Sequence, residues 1–305
     1  MAGAALLVAL LVMALATVLA VELLRGLHLD LARSASLDRD ARSQALALGA
    51  ISLGRRALER DTEREPAIDT NDSPWRRAMG ALPVAGGSVT GELRDLDGRF
   101  NVNTLVLPDG SDDSAAQAQF ERLLEALDLP RRIGAALADW IDADTIPRRD
   151  GAEDLFYAGR RPAYRAANQP LVHISELRLV AGIDADAFEA LRPHVCALPA
   201  DVRRVNVYTA SEAVLMSLLP GINRPRARRL HRNGRARYSD IQQFRDSQAL
   251  RGLDTSALNG RIKVRSDHFL LHTRIRLEQH ARDYYALLRR DGSRYDVLLR
   301  SFGRP

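Results

Sequence analysis

The chain has 305 residues, with 44 Lys and Arg against 39 Asp and Glu and a formal net charge of +5. That length holds one large domain or two modest ones, and so small a charge excess does not by itself argue for a nucleic-acid partner. The single cysteine, Cys196, excludes an intramolecular disulfide and reads as a packing residue.

The N-terminus carries the strongest signal. Ala4 to Val21 is apolar except for Thr17, and as a helix it spans about 27 Å, close to a bilayer's hydrocarbon core. A cleaved signal peptide is the rival, with Val18-Leu19-Ala20 as its cleavage site. Against it, no Lys or Arg precedes the run, and the apolar stripe continues through Leu24, Leu27, Leu31 and Ala35 to Ala41, Ala45, Leu48 and Ile51. No Pro occurs before Pro66. The expectation is one helix of about fifty-five residues, about 80 Å long, with its first third in lipid.

Residues 60–87 read as loop, from Pro66, Asn71-Asp72-Ser73-Pro74 and Gly86-Gly87. A β-segment follows over Ser88 to Asn103, with Asp97-Gly98 as a turn signal. Residues 104–258 read as helical, and strands return from Arg261. Thr273 to Leu277 alternates as a half-buried strand does, and Asp291-Gly292-Ser293 joins a hairpin between Tyr284–Arg290 and Tyr295–Arg300. Strands bracketing helices predict an α+β fold, an all-helical block inserted in one antiparallel sheet.

Asn101-Val102-Asn103-Thr104 is echoed by Asn206-Val207-Tyr208-Thr209. Leu179-Val180-Ala181-Gly182-Ile183 and Leu218-Leu219-Pro220-Gly221-Ile222 resemble helix-hairpin-helix loops, and seven arginines lie between Arg224 and Arg237. Such loops can cradle a phosphate. The motif wants a second Gly after the Ile, where this chain has Asp184 and Asn223. The favoured reading is a helical interaction domain with a basic face, with no nucleic acid bound; a membrane-anchored DNA-binding protein is the alternative.

Six carboxylates stand within the sixteen residues from Asp139 to Asp154. Asp139 and Asp142, three apart on a helix, repel. A cation would relieve this, and an all-oxygen ligand set favours Ca²⁺ over Zn²⁺. The spacing Asp142, Asp144, Asp150, Glu153 mimics an EF-hand, but Ile146 and Pro147 stand where a ligand and a Gly are required. A solvated acidic loop is the competing reading, and a carboxylate pair of a metal-dependent hydrolase a weaker third, because no His or nucleophile converges on it.

Taken in order, Asp97-Gly98-Arg99-Phe100-Asn101-Val102-Asn103, Asp139-Trp140-Ile141-Asp142-Ala143-Asp144, Gly151-Ala152-Glu153-Asp154, Tyr157, Pro162-Ala163-Tyr164, Asn168, Ser175-Glu176-Leu177 and Val205-Asn206-Val207 resemble the minor pseudopilin K family of type II secretion systems. The resemblance covers essentially the whole chain. It implies a pilin-like fold: residues 1–3 as a short leader, 4–21 as a transmembrane helix, 22–59 as its periplasmic extension, and 60–103 as the first part of the pilin-like domain. Residues 104–258 then form the inserted helical domain and 259–305 the C-terminal strands. It also implies a single-pass inner-membrane protein, without enzymatic activity, at the tip of the periplasmic pseudopilus. There it caps the pseudopilus and helps initiate its assembly with minor pseudopilins I and J and the other subunits. A prepilin peptidase would cut between Gly3 and Ala4 and methylate the new N-terminus. Val8 then stands fifth, where most pilin-like subunits carry Glu; a tip subunit has no neighbour above it to pair with. Family leaders carry Lys or Arg before the Gly, and here only Met-Ala-Gly precedes the bond. The family places calcium in the helical domain, and the matching positions are Asp139, Asp142, Asp144, Glu153 and Asp154.

Overall fold

One helix, α1, runs from Ala2 to Arg64. At 1.5 Å per residue it is about 95 Å long, longer than expected, because the pattern continues to Glu65, whose conformation the following Pro66 restricts. The computed structural model describes residues 2–303 except Pro66, Ala78, Ala236 and Arg237. Met1 of the expected leader, Pro66 of the expected loop and Arg237 of the basic run therefore lie outside the described residues. Gly3, Ala4 and Val8 lie on the first turns of α1. The side chains from Leu10 to Leu31 stand free on this part of α1, whose most apolar eighteen residues have a mean hydropathy of 2.1 and none of them buried. Further along, Ala47, Ala50, Ile51 and Leu58 are buried against Val89, Leu93, Phe269, Leu271 and Leu288.

Those partners belong to a five-stranded antiparallel sheet. Strands β1 (Met79–Val84) and β2 (Gly87–Asp95) form a hairpin at one edge, and β3 (Phe100–Asn101) leaves the sheet. Three long strands, β7 (His268–Leu277), β8 (His280–Asp291) and β9 (Arg294–Phe302), close it after the excursion, and the order is β1-β2-β7-β8-β9. Within the excursion, β3 pairs in parallel with β4 (Val195–Cys196), and β5 (Val205–Asn206) pairs in parallel with β6 (Ile262–Lys263). The strands β7, β8 and β9 match the expected C-terminal strands and hairpin. The expectation of loop over residues 60–87 fails at β1. Its residues 80–83 are all exposed, so the strand carries no apolar alternation, and Pro83 masks it further; an edge strand tolerates both. The hairpin turn rests on Gly86, at φ +79°. The expected β-segment to Asn103 also divides: β2 ends at Asp95, and the Asp97-Gly98 turn sends the chain out of the sheet.

The excursion is held by its own core, which includes Phe120, Leu124, Leu137, Trp140, Tyr157, Phe188, Tyr208 and Phe244. Its helices are α2 (Ser114–Ala126), α3 (Arg132–Ile141), α4 (Asp154–Ala158), α5 (Ala185–Leu191), α6 (Glu212–Leu218), α7 (Arg224–His231) and α8 (Ile241–Arg245). The repeated Asn-Val pair has a structural meaning. Asn101 accepts from the Asn103 and Leu198 amides at 3.2 and 3.0 Å and donates to Pro199 O at 2.9 Å. Asn206 accepts from the Tyr208 amide at 3.0 Å and donates to Asp69 O and Ser266 Oγ at 3.1 and 2.7 Å. Each Asn thus staples one short parallel pairing to a loop. Cys196 is fully packed on β4, and burial pushes its thiol up.

The excursion departs and returns at one place, because Asp95 pairs with Phe269 across β2 and β7. The buried Asp97 carboxylate ties the two strands of this neck. It accepts from Lys263 Nζ at 2.8 Å, from the His268 amide at 3.1 Å and from the Asp267 amide, with His268 Nδ1 at 3.2 Å. Burial opposes the charge on Asp97, but its His268 and Lys263 partners hold the carboxyl below the usual range. Gly98 next to it cannot carry a Cβ, which would collide with the Thr209 backbone. Beside the neck, buried Arg290 on β8 donates to both Asp69 oxygens at 2.8 and 3.0 Å.

The neck lies at the end of the sheet far from the apolar run of α1. Arg282, near the start of β8, pairs with Asp40 of α1 at 2.7 Å. Tyr295, beyond its other end, bonds Thr62 at 2.9 Å. β8 therefore runs away from the apolar run, and His268, where the excursion re-enters, pairs with Arg289 at its far end.

Asp97→Ala leaves the buried Lys263 with only the half-exposed Asp267 carboxylate, at 2.8 Å, and strands the His268 amide, so it is expected to cost about 3–5 kcal/mol in urea unfolding. Asp97→Asn, which keeps the shape, should cost less. Equal stability of the wild-type and Ala proteins would contradict the role of the neck.

Candidate metal centre

Helix α3 ends the acidic motif's first half inside the core. Its apolar face, Ile133, Ala136, Leu137, Trp140 and Ile141, is buried, and the same rotation carries Asp139 to 0 % exposure. Asp142 terminates the helix in extended conformation and is also buried. The chain then loops out through exposed Ala143 to Pro147 and returns at Gly151-Ala152-Glu153, just before α4. Glu153 is buried, and ligand oxygens of Asp139, Asp142 and Glu153 all lie within 4.8 Å of one another. Gly151 makes the return possible, because a Cβ there would overlap the Asp139 carboxylate.

Arg148 supplies the local positive charge. Its Nη1 donates to Asp139 Oδ1 at 2.8 Å and to Asp142 Oδ2, and its Nε donates to Asp112 Oδ1 at 3.1 Å. Its backbone amide adds contacts of 3.2 and 3.3 Å to the Asp139 carboxylate. Burial works against the guanidinium, but these carboxylates hold it well above its usual range. They do not neutralise the whole cluster. Both Glu153 oxygens and Asp142 Oδ1 are buried without a hydrogen-bond partner. Burial first, and then Asp139, Asp142, Asp144 and Asp154, push the Glu153 carboxyl up to about 7. Burial likewise raises Asp142.

Of the five expected ligand positions, the fold gathers three. Asp144 is exposed and accepts from the Ile146 amide at 2.7 Å. Asp154 accepts from the Ala166 amide at 3.0 Å and faces Arg165 at 3.9 Å. Arg148 and Asp112 were not among the expected site residues. Asp112 lies outside the acidic run, and only the fold brings it to Arg148, with Nε at 3.1 Å and Nη2 at 2.5 Å from its Oδ1. Carboxylate oxygens alone, tightly grouped and partly unpartnered, suit a hard cation such as Ca²⁺.

The hairpins have ordinary caps. Asp184 accepts from the Ala187 amide at 2.8 Å, and Asn223 accepts from the Arg226 amide at 3.1 Å. At each hairpin one amide of the following helix, a donor a phosphate could have used, is therefore taken by a side chain of the chain itself.

A long N-terminal helix lying on an antiparallel sheet defines a pilin-like α+β architecture, and the apolar run of that helix is long enough to cross a membrane. Residues 98–200 match the family described as type II secretion system (T2SS), protein K. Type II secretion system protein K of Pectobacterium carotovorum is 32 % identical, over 99 % of this chain and 96 % of that protein. The Klebsiella pneumoniae protein is 34 % identical over the same shares, and the Pseudomonas aeruginosa protein is 37 % identical over 71 % of this chain and 67 % of its own. A chain in the crystal structure of the GspK-GspI-GspJ complex from enterotoxigenic Escherichia coli superposes with a TM-score of 0.78 at 27 % identity. That match covers 90 % of this chain and all of the other. The chain belongs to the type II secretion system protein K family, the minor pseudopilins. Its apolar N-terminal helix fits a single-pass inner-membrane anchor. Nothing in these relatives supports the DNA-binding alternative.

In chelator, Glu153 keeps its proton to about pH 7 when folded, whereas an ordinary glutamate loses it near 4.5. The folded chain then holds more protons between these values, so stability should fall as pH rises through that window and level off above it. Glu153→Gln should flatten this part of the profile in denaturant titrations from about pH 4 to 8. An unchanged profile would remove Glu153 as its source.

Proposed function

We propose that this minor pseudopilin sits at the tip of the periplasmic pseudopilus, caps it, and helps to initiate its assembly. The observation that carries the reading is the position of the inserted block. It leaves and rejoins the sheet at the end farthest from the apolar run of α1. A subunit anchored by that run presents the sheet next and the helical block outermost, in the periplasm. Its bulk would obstruct a further subunit stacked above. GspI and GspJ, which share the related crystal structure with GspK, support minor pseudopilins I and J as partners, with other pseudopilus subunits below. Processing by a prepilin peptidase between Gly3 and Ala4, with methylation, fits the family and leaves Val8 at the fifth position, without a charge to pair. The role is structural and needs no catalytic residue.

Calcium is proposed as the ion of the acidic centre, held by Asp139, Asp142 and Glu153, with Asp144 and Asp154 on the flanking loop and helix. Its contribution is to neutralise buried carboxylates and to tie α3 to the start of α4. The support is the unpartnered Glu153 carboxylate within reach of two buried aspartates.

Two measurements test these readings. Replacing residues 104–258 by a short linker in the full-length chain should disturb pseudopilus assembly and secretion; unchanged secretion with the sheet intact would end the capping role. Millimolar calcium should raise the thermal midpoint above that in chelator, and magnesium should raise it much less. At one hundred times the dissociation constant the gain is about 2.7 kcal/mol. Asp142→Asn should remove it, and coincident midpoints in the wild type would end the calcium reading.

A further inference from the structure

We propose that Arg148 is a built-in competitor of the divalent cation: its guanidinium holds the carboxylates the ion needs, and it must withdraw for the ion to bind. The inference rests on the calcium reading of the centre and assigns its regulation to a residue that is not a ligand.

Arg148 touches two of the three gathered carboxylates through a single nitrogen, Nη1, at Asp139 Oδ1 and Asp142 Oδ2. Ca²⁺ takes carboxylate oxygens at about 2.3–2.6 Å. An ion drawing on those oxygens would put two like charges side by side in a buried site, where repulsion is weakly screened. The arginine's hold is also partial. It reaches neither oxygen of Glu153 nor Asp142 Oδ1, and these are the buried atoms left without partners. A monovalent fork covers part of the cluster, and a divalent ion with six to eight ligand positions can cover the whole.

The side chain has somewhere to go. Its Nε sits on Asp112 Oδ1, and Asp112 is 46 % exposed where Asp139 and Asp142 are almost wholly buried. Arg148 follows the exposed loop leading from Asp142 and its own side chain is 22 % exposed, so withdrawal toward Asp112 moves it outward and keeps one ion pair. In this arrangement Arg148 keeps the chain folded at low calcium by compensating Asp139 and Asp142. It also lowers the affinity for the ion, so that calcium closes the loop only where its concentration is high.

The test is calorimetric titration of the full-length chain in detergent with calcium, comparing wild type, Arg148→Gln and Arg149→Gln. Arg149 is exposed and removes the same charge one residue away. Arg148→Gln should bind calcium at least about tenfold more tightly, and its thermal midpoint in chelator should fall below that of the wild type. Arg149→Gln should stay within about twofold, because an exposed charge is well screened. Equal or weaker binding by Arg148→Gln, beside a wild type that binds, would make the arginine a positioning residue and overturn competition. Binding by Arg148→Gln alone would support it. No binding by either protein would overturn the calcium reading and this inference with it. If Arg148→Gln folds only with calcium, the surrogate role is supported. If it folds in neither condition, Arg148→Lys, with a shorter reach, decides: tighter binding than wild type supports competition, and unchanged or weaker binding overturns it.

Discussion

A single buried carboxylate governs how the two halves of this protein are joined. Asp97 lies where the chain turns out of β2, and it gathers Lys263, His268 and two amides from the segment where the chain turns back. An aspartate buried alone would be prohibitive, and one with this many donors is fixed in place. Its geometry sets the direction in which the helical block leaves the sheet. Gly98, Thr209 and the Asp69–Arg290 pair then fill the space around that direction.

The neck and the acidic centre treat buried charge in opposite ways. At the neck Asp97 and Asp69 each meet a cation and amides of the chain itself. At the centre Asp139, Asp142 and Glu153 share one arginine, and Glu153 receives nothing from it. A carboxylate paired on both oxygens, as Asp97 is, makes a fixed joint, and one left without partners, as Glu153 is, makes a site that responds to its surroundings.

Much of this was legible in the sequence because it is periodic. The apolar run and stripe of α1, the alternation in β7 and the Asp291-Gly292-Ser293 turn all write their structure into residue spacing. β1 does not: at an exposed edge no core imposes alternation, and Pro83 reads as loop. The Asn101 and Asn206 echo was visible as a repeat, but its purpose appears only when β3 meets β4 and β5 meets β6. Within the acidic run, composition marked the cluster, whereas membership depended on which carboxylates the end of α3 and the start of α4 turn inward. Asp139, Asp142 and Glu153 turn in; Asp144 and Asp154 find backbone amides instead. Asp112 could not be found locally, since its partner Arg148 lies 36 positions away.

The single point of exit and return has a consequence for how the chain acquires its shape. β2 finds its neighbour β7 only about 170 residues later, and Thr62 meets Tyr295 across 233 positions. Pairings this distant form late and slowly. Until the last strands emerge from synthesis and export, Ala47, Ile51 and Leu58 have Trp75 and the β1–β2 hairpin for cover. The helical block, with a core of its own, can order first and bring the two ends of the neck within reach of each other. Its folding then acts as the clamp that closes the sheet, which makes the inserted block a chaperone, in cis, for the domain that carries it.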